Sequence, residues 1–130
     1  MTKQKVLDRQ GWATLIALAI GLGVVVPFHT VFELVTGRSV FAGEPELLLV
    51  HSAMVAMPFL ILAGKNLYDK VAWATGVALT LPAWVLLLYE GIRYNLSGDN
   101  SGVGGAAFLI VLWPILVTLL CVRLGRARSR

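Results

Sequence analysis

The chain has 130 residues, of which 58% are hydrophobic and 14% charged, with a formal net charge of +4. Soluble domains carry about 25% charged residues, so this composition excludes an ordinary water-soluble fold and makes a lipid bilayer the expected solvent. The basic excess does not suit a nucleic-acid surface, because it flanks apolar runs without aromatic interleaving or a binding motif; no nucleic-acid partner is expected.

Four apolar runs predict an all-α integral membrane protein, a single domain over 1–130 built as a four-transmembrane-helix antiparallel bundle. The first run, 11–36, exceeds the roughly 20 residues needed to cross a hydrocarbon core of about 30 Å. Lys3, Lys5 and Arg9 precede it as in a signal peptide. No small-residue cleavage site follows a short apolar core, so the run is expected to stay in the mature protein. Along it Ala13, Ala17 and Gly21 recur every four residues, a small-residue face that lets a neighbouring backbone approach closely.

The second run, 46–64, is just long enough to span. The third, 70–94, repeats the small-residue device with Ala72, Gly76 and Thr80, and the fourth covers 104–122. The stretches 37–45 and 95–105 between the runs are rich in Gly, Ser, Asn and Asp and read as turns. Each run carries one proline, at Pro27, Pro58, Pro82 and Pro114, which removes a backbone donor and opens a kink. Ser52, Thr75, Thr80 and Thr118 are expected to bond back onto their own helices. Gly11-Trp12-Ala13-Thr14 is echoed by Ala72-Trp73-Ala74-Thr75, which suggests a duplicated two-helix unit arranged as parallel repeats.

Four spans put both termini on one side, and charge chooses the side. Lys3, Lys5, Arg9, Lys65, Lys70, Arg123, Arg126, Arg128 and Arg130 lie at one end, nine of the eleven Lys and Arg; only Arg38 and Arg93 lie at the other, with Glu44, Glu46 and Asp99. The positive-inside rule then places the termini and the middle loop in the cytoplasm, in a bacterial inner membrane. Trp12, Tyr68 and Trp73 fall near the inner boundary and Tyr89 and Tyr94 near the outer one, as anchoring aromatics do. The lone cysteine, Cys121, excludes an intrachain disulfide and reads as a packing residue.

The apolar runs are almost free of ionisable groups, so the exceptions define the candidate ligand-binding residues: His29 and Glu33 in the first, His51 in the second, Glu90 and Arg93 in the third. All five sit toward the outer end. His29 and Glu33 are four apart and Glu90 and Arg93 three apart, so each pair shares a helix face, and a short connection brings His29 and His51 to similar depth. Three functional readings compete with a purely interfacial role. The histidines with one or two carboxylates suit a divalent metal; His29 and His51 suit axial ligation of a haem in an electron-transfer subunit; and the whole set suits a vestibule for a proton or small solute.

No phosphate loop, no nucleophile beside a base and no hydrolytic carboxylate pair is present, so an enzyme is not expected. The stretch 13–26 has no acidic residue, unlike the first helix of small multidrug transporters, and the phenylalanine-rich signature of fluoride channels is missing. The leading expectation is a non-enzymatic accessory or ligand-binding bundle with a polar site at its outer end, and the alternative an oligomeric small-solute or proton transporter. The expected partners are the lipid bilayer and either further copies of the chain or a larger membrane complex.

Overall fold

The computed structural model describes residues 3–37, 46–98 and 101–129, and Arg38, Glu44 and Asp99 lie outside the described residues. Four helices result: α1 (Lys3–Thr36), α2 (Glu46–Gly64), α3 (Lys70–Ser97) and α4 (Val103–Arg128). All four are long and apolar enough to cross a membrane. Their outer faces are as apolar as their inner ones: Trp12, Leu34, Leu49, Phe108 and Leu119 are between 63% and 80% exposed. Helices apolar all round belong in an apolar solvent.

α2 covers the expected 46–64, whereas the other three run further than the apolar stretches alone indicate. α1 begins at Lys3 because its polar first turns are still good helix, with Gln4 Nε2 donating to Asp8 Oδ1 at 3.0 Å. In α3 the residues expected to form a loop stay helical through Ser97. Asn95 Nδ2 and Ser97 Oγ donate to the carbonyls of Gly91 and Arg93 one turn back, at 2.8 and 2.7 Å. Gly98 then ends the helix at φ 75°, its N–H reaching Tyr94 O at 2.9 Å; only glycine adopts this left-handed cap at no steric cost. α4 continues past 122 to Arg128, its last turn carrying Arg126 and Arg128 where cations complement the helix dipole.

α1 lies against α2 and α3, and α4 against α3 and α2; α2 meets α3 across the middle, while α1 and α4 occupy opposite corners without contact among the described residues. The two hairpins therefore stand side by side, α1 next to α3 and α2 next to α4. A central two-fold axis would instead set α1 diagonally opposite α3, so the echo between the hairpins is not expressed as that symmetry.

On α1 the residues Ala13, Ala17, Gly21, Val25 and His29 are all buried, one stripe at a spacing of four. At Gly21 a Cβ would collide with the Ser52 carbonyl oxygen and press on Ala56 Cβ, so glycine is what lets α1 and α2 meet backbone to backbone. Gly76 of α3 likewise opens the space filled by the Phe59 ring and the Cys121 sulfur.

The interior consists of two apolar layers. Ala17, Phe59, Leu62, Val117 and Cys121 form the one nearer the termini, and Val25, Val55, Ala83, Trp84 and Ile110 the one farther away. Trp113 Nε1–H donates to Leu79 O at 2.6 Å, three residues before Pro82, so a tryptophan of α4 satisfies a carbonyl in the turn that the α3 proline opens. Thr80 and Thr118 donate to the carbonyls of Gly76 and Pro114 as expected. The Ser52 hydroxyl is buried and has no hydrogen-bond partner among the described residues.

At the end that carries the termini, a tight link joins α2 to α3. Asn66 adopts φ 59°, and Asp69 caps α3 by accepting from the Ala72 N–H at 3.0 Å. Arg128 Nε donates to the same Asp69 carboxylate at 2.8 Å, tying the end of α4 to this link. Trp73 Nε1 donates to Leu67 O at 2.9 Å, and the Arg9 guanidinium lies 4.4 Å from the Tyr68 ring centre.

Candidate functional site

The buried stripe of α1 ends, toward the end remote from the termini, in an imidazole where every earlier position is a small or aliphatic residue. His29 is fully buried, and its Nε2 stands 3.0 Å from Nδ1 of the half-buried His51 on α2. The antiparallel α1–α2 hairpin, set close by Gly21 two turns below, brings these two rings to the same level. One ring donates its N–H and the other accepts through a bare nitrogen, so the contact needs one protonated and one bare nitrogen facing each other.

Aromatic rings enclose the pair. The two imidazoles meet nearly edge to face, centroids 5.2 Å apart at 85°. Phe28 packs on His29 at 5.4 Å, Trp84 of α3 packs on His51 at 5.3 Å, and Phe28 and Trp84 close on each other at 5.0 Å and 86°. Such offset and T-shaped contacts contribute about 0.5–1.5 kcal/mol each beyond the area they bury, and they hold the imidazoles in fixed orientations. Neither Phe28 nor Trp84 carries a motif in the sequence; the available signal was that Trp84 lies well inside its apolar run, away from the boundary where anchoring tryptophans sit.

The other three candidates separate from the histidines. Glu90 is buried on α3 and accepts from Arg93 Nη2 at 2.7 Å, and the same guanidinium nitrogen donates to Ser101 Oγ at 3.3 Å. The Glu90 carboxylate packs directly on Gly102, the N-cap residue of α4, which has no side-chain cap of its own. A carboxylate there is favoured by the positive end of the α4 dipole. Glu90 and Arg93 thus close the α3–α4 turn, and this arrangement accounts for both charges without a ligand. Glu33 is exposed, and no hydrogen bond or ion pair reaches its carboxylate among the described residues. Among the described residues, no group of three or more His, Cys, Asp or Glu side chains converges as a metal site would.

The geometry distinguishes between the cofactors the two histidines suggest. Axial ligation of a haem places the iron between the rings, with nitrogens roughly 4 Å apart at about 2.0 Å from the metal. The nitrogens here touch at 3.0 Å and the rings are packed by Phe28 and Trp84, so these residues do not fit a haem in this arrangement. A single tetrahedral ion with metal–nitrogen bonds of about 2.0–2.1 Å holds its nitrogens roughly 3.4 Å apart. That is a few tenths of an ångström beyond the observed separation, so the pair would supply two ligand positions of one ion once the proton of the donating ring moves to that ring's other nitrogen and both facing nitrogens are bare.

No family profile matches the chain, and no curated protein or solved structure is significantly similar to it.

Proposed function

We propose that this chain is a non-enzymatic inner-membrane bundle, with its termini in the cytoplasm, that binds a small ligand at the His29–His51 pair near its outer end. The observation that carries this reading is the 3.0 Å contact between imidazoles of two different helices, one of them fully buried, inside an aromatic enclosure. Among the described residues, every other buried position of α1 is Ala, Gly or Val. Helix packing alone would be served by another aliphatic residue, without the cost of burying polar nitrogens.

The region next to the pair favours binding at one end over conduction through the chain. Val25, Val55, Ala83, Trp84 and Ile110 fill the layer that contacts it, and Ala17, Phe59, Leu62, Val117 and Cys121 fill the next. Neither apolar layer offers a polar path for a proton or solute within one chain. Imidazole pairs take protons and borderline-soft metal ions, zinc and copper above all. We assign the pair to one such ion, bound by two imidazole nitrogens, with water or a partner's group completing the coordination.

The test is calorimetric titration of zinc and of copper into protein purified in mild detergent, with metal analysis after dialysis. The reading predicts one ion per chain in the wild type, and loss of that ion in both His29→Ala and His51→Ala with helix content retained. Equal uptake by wild type and both variants, or none by any of them, contradicts the metal assignment.

A further inference from the structure

The end opposite the histidines carries a second polar arrangement. Between α2 and α4 lies a groove of about 690 Å³, rimmed by Lys65, Arg123 and Arg126 and floored by Ile61, Leu119 and Val122. It forms because α2 stops at Gly64 while α4 continues to Arg128, so the last turns of α4 extend beyond the end of α2. Leu119 lies three residues before Val122 and four before Arg123, and Arg126 lies four after Val122 and three after Arg123, so the four share a face of α4. From Leu119 to Arg126 that face rises about 10 Å, passing from apolar floor to cationic rim.

Among the cations of this end, some are already engaged and some line the groove. Arg128 is held by Asp69, and Arg9 lies over Tyr68. The charged ends of the Lys65, Arg123 and Arg126 side chains have no hydrogen-bonding or ion-pair partner among the described residues, and all three side chains line the groove. Three uncompensated charges above an apolar channel complement a molecule with an anionic head and a hydrocarbon chain.

We propose that this groove is a binding site for an anionic phospholipid of the leaflet facing the termini. Its phosphate is held by Lys65, Arg123 and Arg126, and one acyl chain lies along Ile61, Leu119 and Val122. Basic pockets between membrane helices on the cytoplasmic side recognise lipid headgroups in this way. The proposal rests on the membrane reading above and is independent of the histidine pair.

The experiment is native mass spectrometry of the detergent-purified chain with added phosphatidylglycerol, phosphatidylcholine or inorganic phosphate. It compares wild type, the double variant Arg123→Gln/Arg126→Gln, and the control Lys3→Gln/Lys5→Gln, which removes the same two charges from the same end outside the groove. The expected result is retention of one phosphatidylglycerol by the wild type and the control, and a loss of about thirtyfold in affinity in the groove variant, from two arginines at about 1 kcal/mol each. Circular dichroism confirms that all three chains are helical. Equal loss in both double variants, equal retention of phosphatidylcholine, or binding of inorganic phosphate in place of lipid overturns the site. Failure of the wild type to retain phosphatidylglycerol overturns the site, whereas recovery of the chain in the soluble fraction of cells without detergent overturns the membrane reading itself.

Discussion

Two polar clusters lie toward the same end of the bundle and are built on opposite principles. Glu90 and Arg93 are neighbours on one helix, oppositely charged, and engaged with the start of α4 through Gly102 and Ser101. His29 and His51 come from different helices, meet through facing ring nitrogens, and pack against aromatic rings. The first cluster pairs its two charges with each other and closes a turn. The second is the one whose polar atoms packing alone does not require, and it is on this contrast that the functional assignment stands.

The largest effect that sharpens the contrast is expected from His29→Ala. It opens a cavity at a fully buried position and strips His51 of its partner, so a loss of about 2–4 kcal/mol in unfolding free energy is predicted, together with loss of metal uptake. Denaturant titration in detergent measures the first and calorimetry the second.

Next comes Gly21→Val, which forces a side chain against the Ser52 carbonyl. About 1–3 kcal/mol should be lost as α1 and α2 separate, and metal affinity should fall although no nitrogen is touched. Unchanged metal affinity would show that the close helix approach does not set the site. Glu90→Gln is expected to cost about 1–2 kcal/mol through the Arg93 pair and the α4 dipole while leaving metal uptake at the wild-type level. Should Glu90→Gln abolish uptake, the two clusters would be one site and the contrast would fail.

The smallest effect belongs to Asp69. Partial desolvation pushes its carboxyl upward, but the Ala72 N–H, the Arg128 guanidinium and the Val71 N–H outweigh it and hold the group below the ordinary aspartate value of 3.8. A carboxyl depressed in the folded chain contributes stability that is complete above that value and is lost as pH falls through the lower, folded one. Wild-type stability should therefore decline below about pH 4 more steeply than that of Asp69→Asn, and parallel acid titrations of the two would contradict the cap and ion pair.

The four helices were legible because a bilayer demands apolar residues on every face, and that demand leaves long uninterrupted runs. Their polar extensions were not, since Lys3–Gln10, Asn95–Ser97 and Arg123–Arg128 are helical through side-chain bonding and propensity rather than hydropathy. The candidate site was legible as a set of residue types, and the Glu90–Arg93 pair could be read from its three-residue spacing alone. The same rule placed Glu33 beside His29, yet Glu33 is exposed. A spacing of four drifts by about 40° per step around a helix of 3.6 residues per turn, so the stripe from Ala13 to His29 has rotated off the partner face by position 33. Trp84 and Phe28 were not legible as part of the site, because their contact with the imidazoles depends on how α1, α2 and α3 pack and on no local pattern.

The most direct test of the central claim, that His29 and His51 act as one unit, is nitrogen NMR of histidine-labelled protein in detergent, comparing wild type with His51→Ala. The structure predicts one protonated and one bare nitrogen facing each other in the wild type, and a change of tautomer balance at His29 when His51 is removed. A His29 ring spectrum indifferent to the loss of His51 would contradict the shared hydrogen bond and the ligand site built on it.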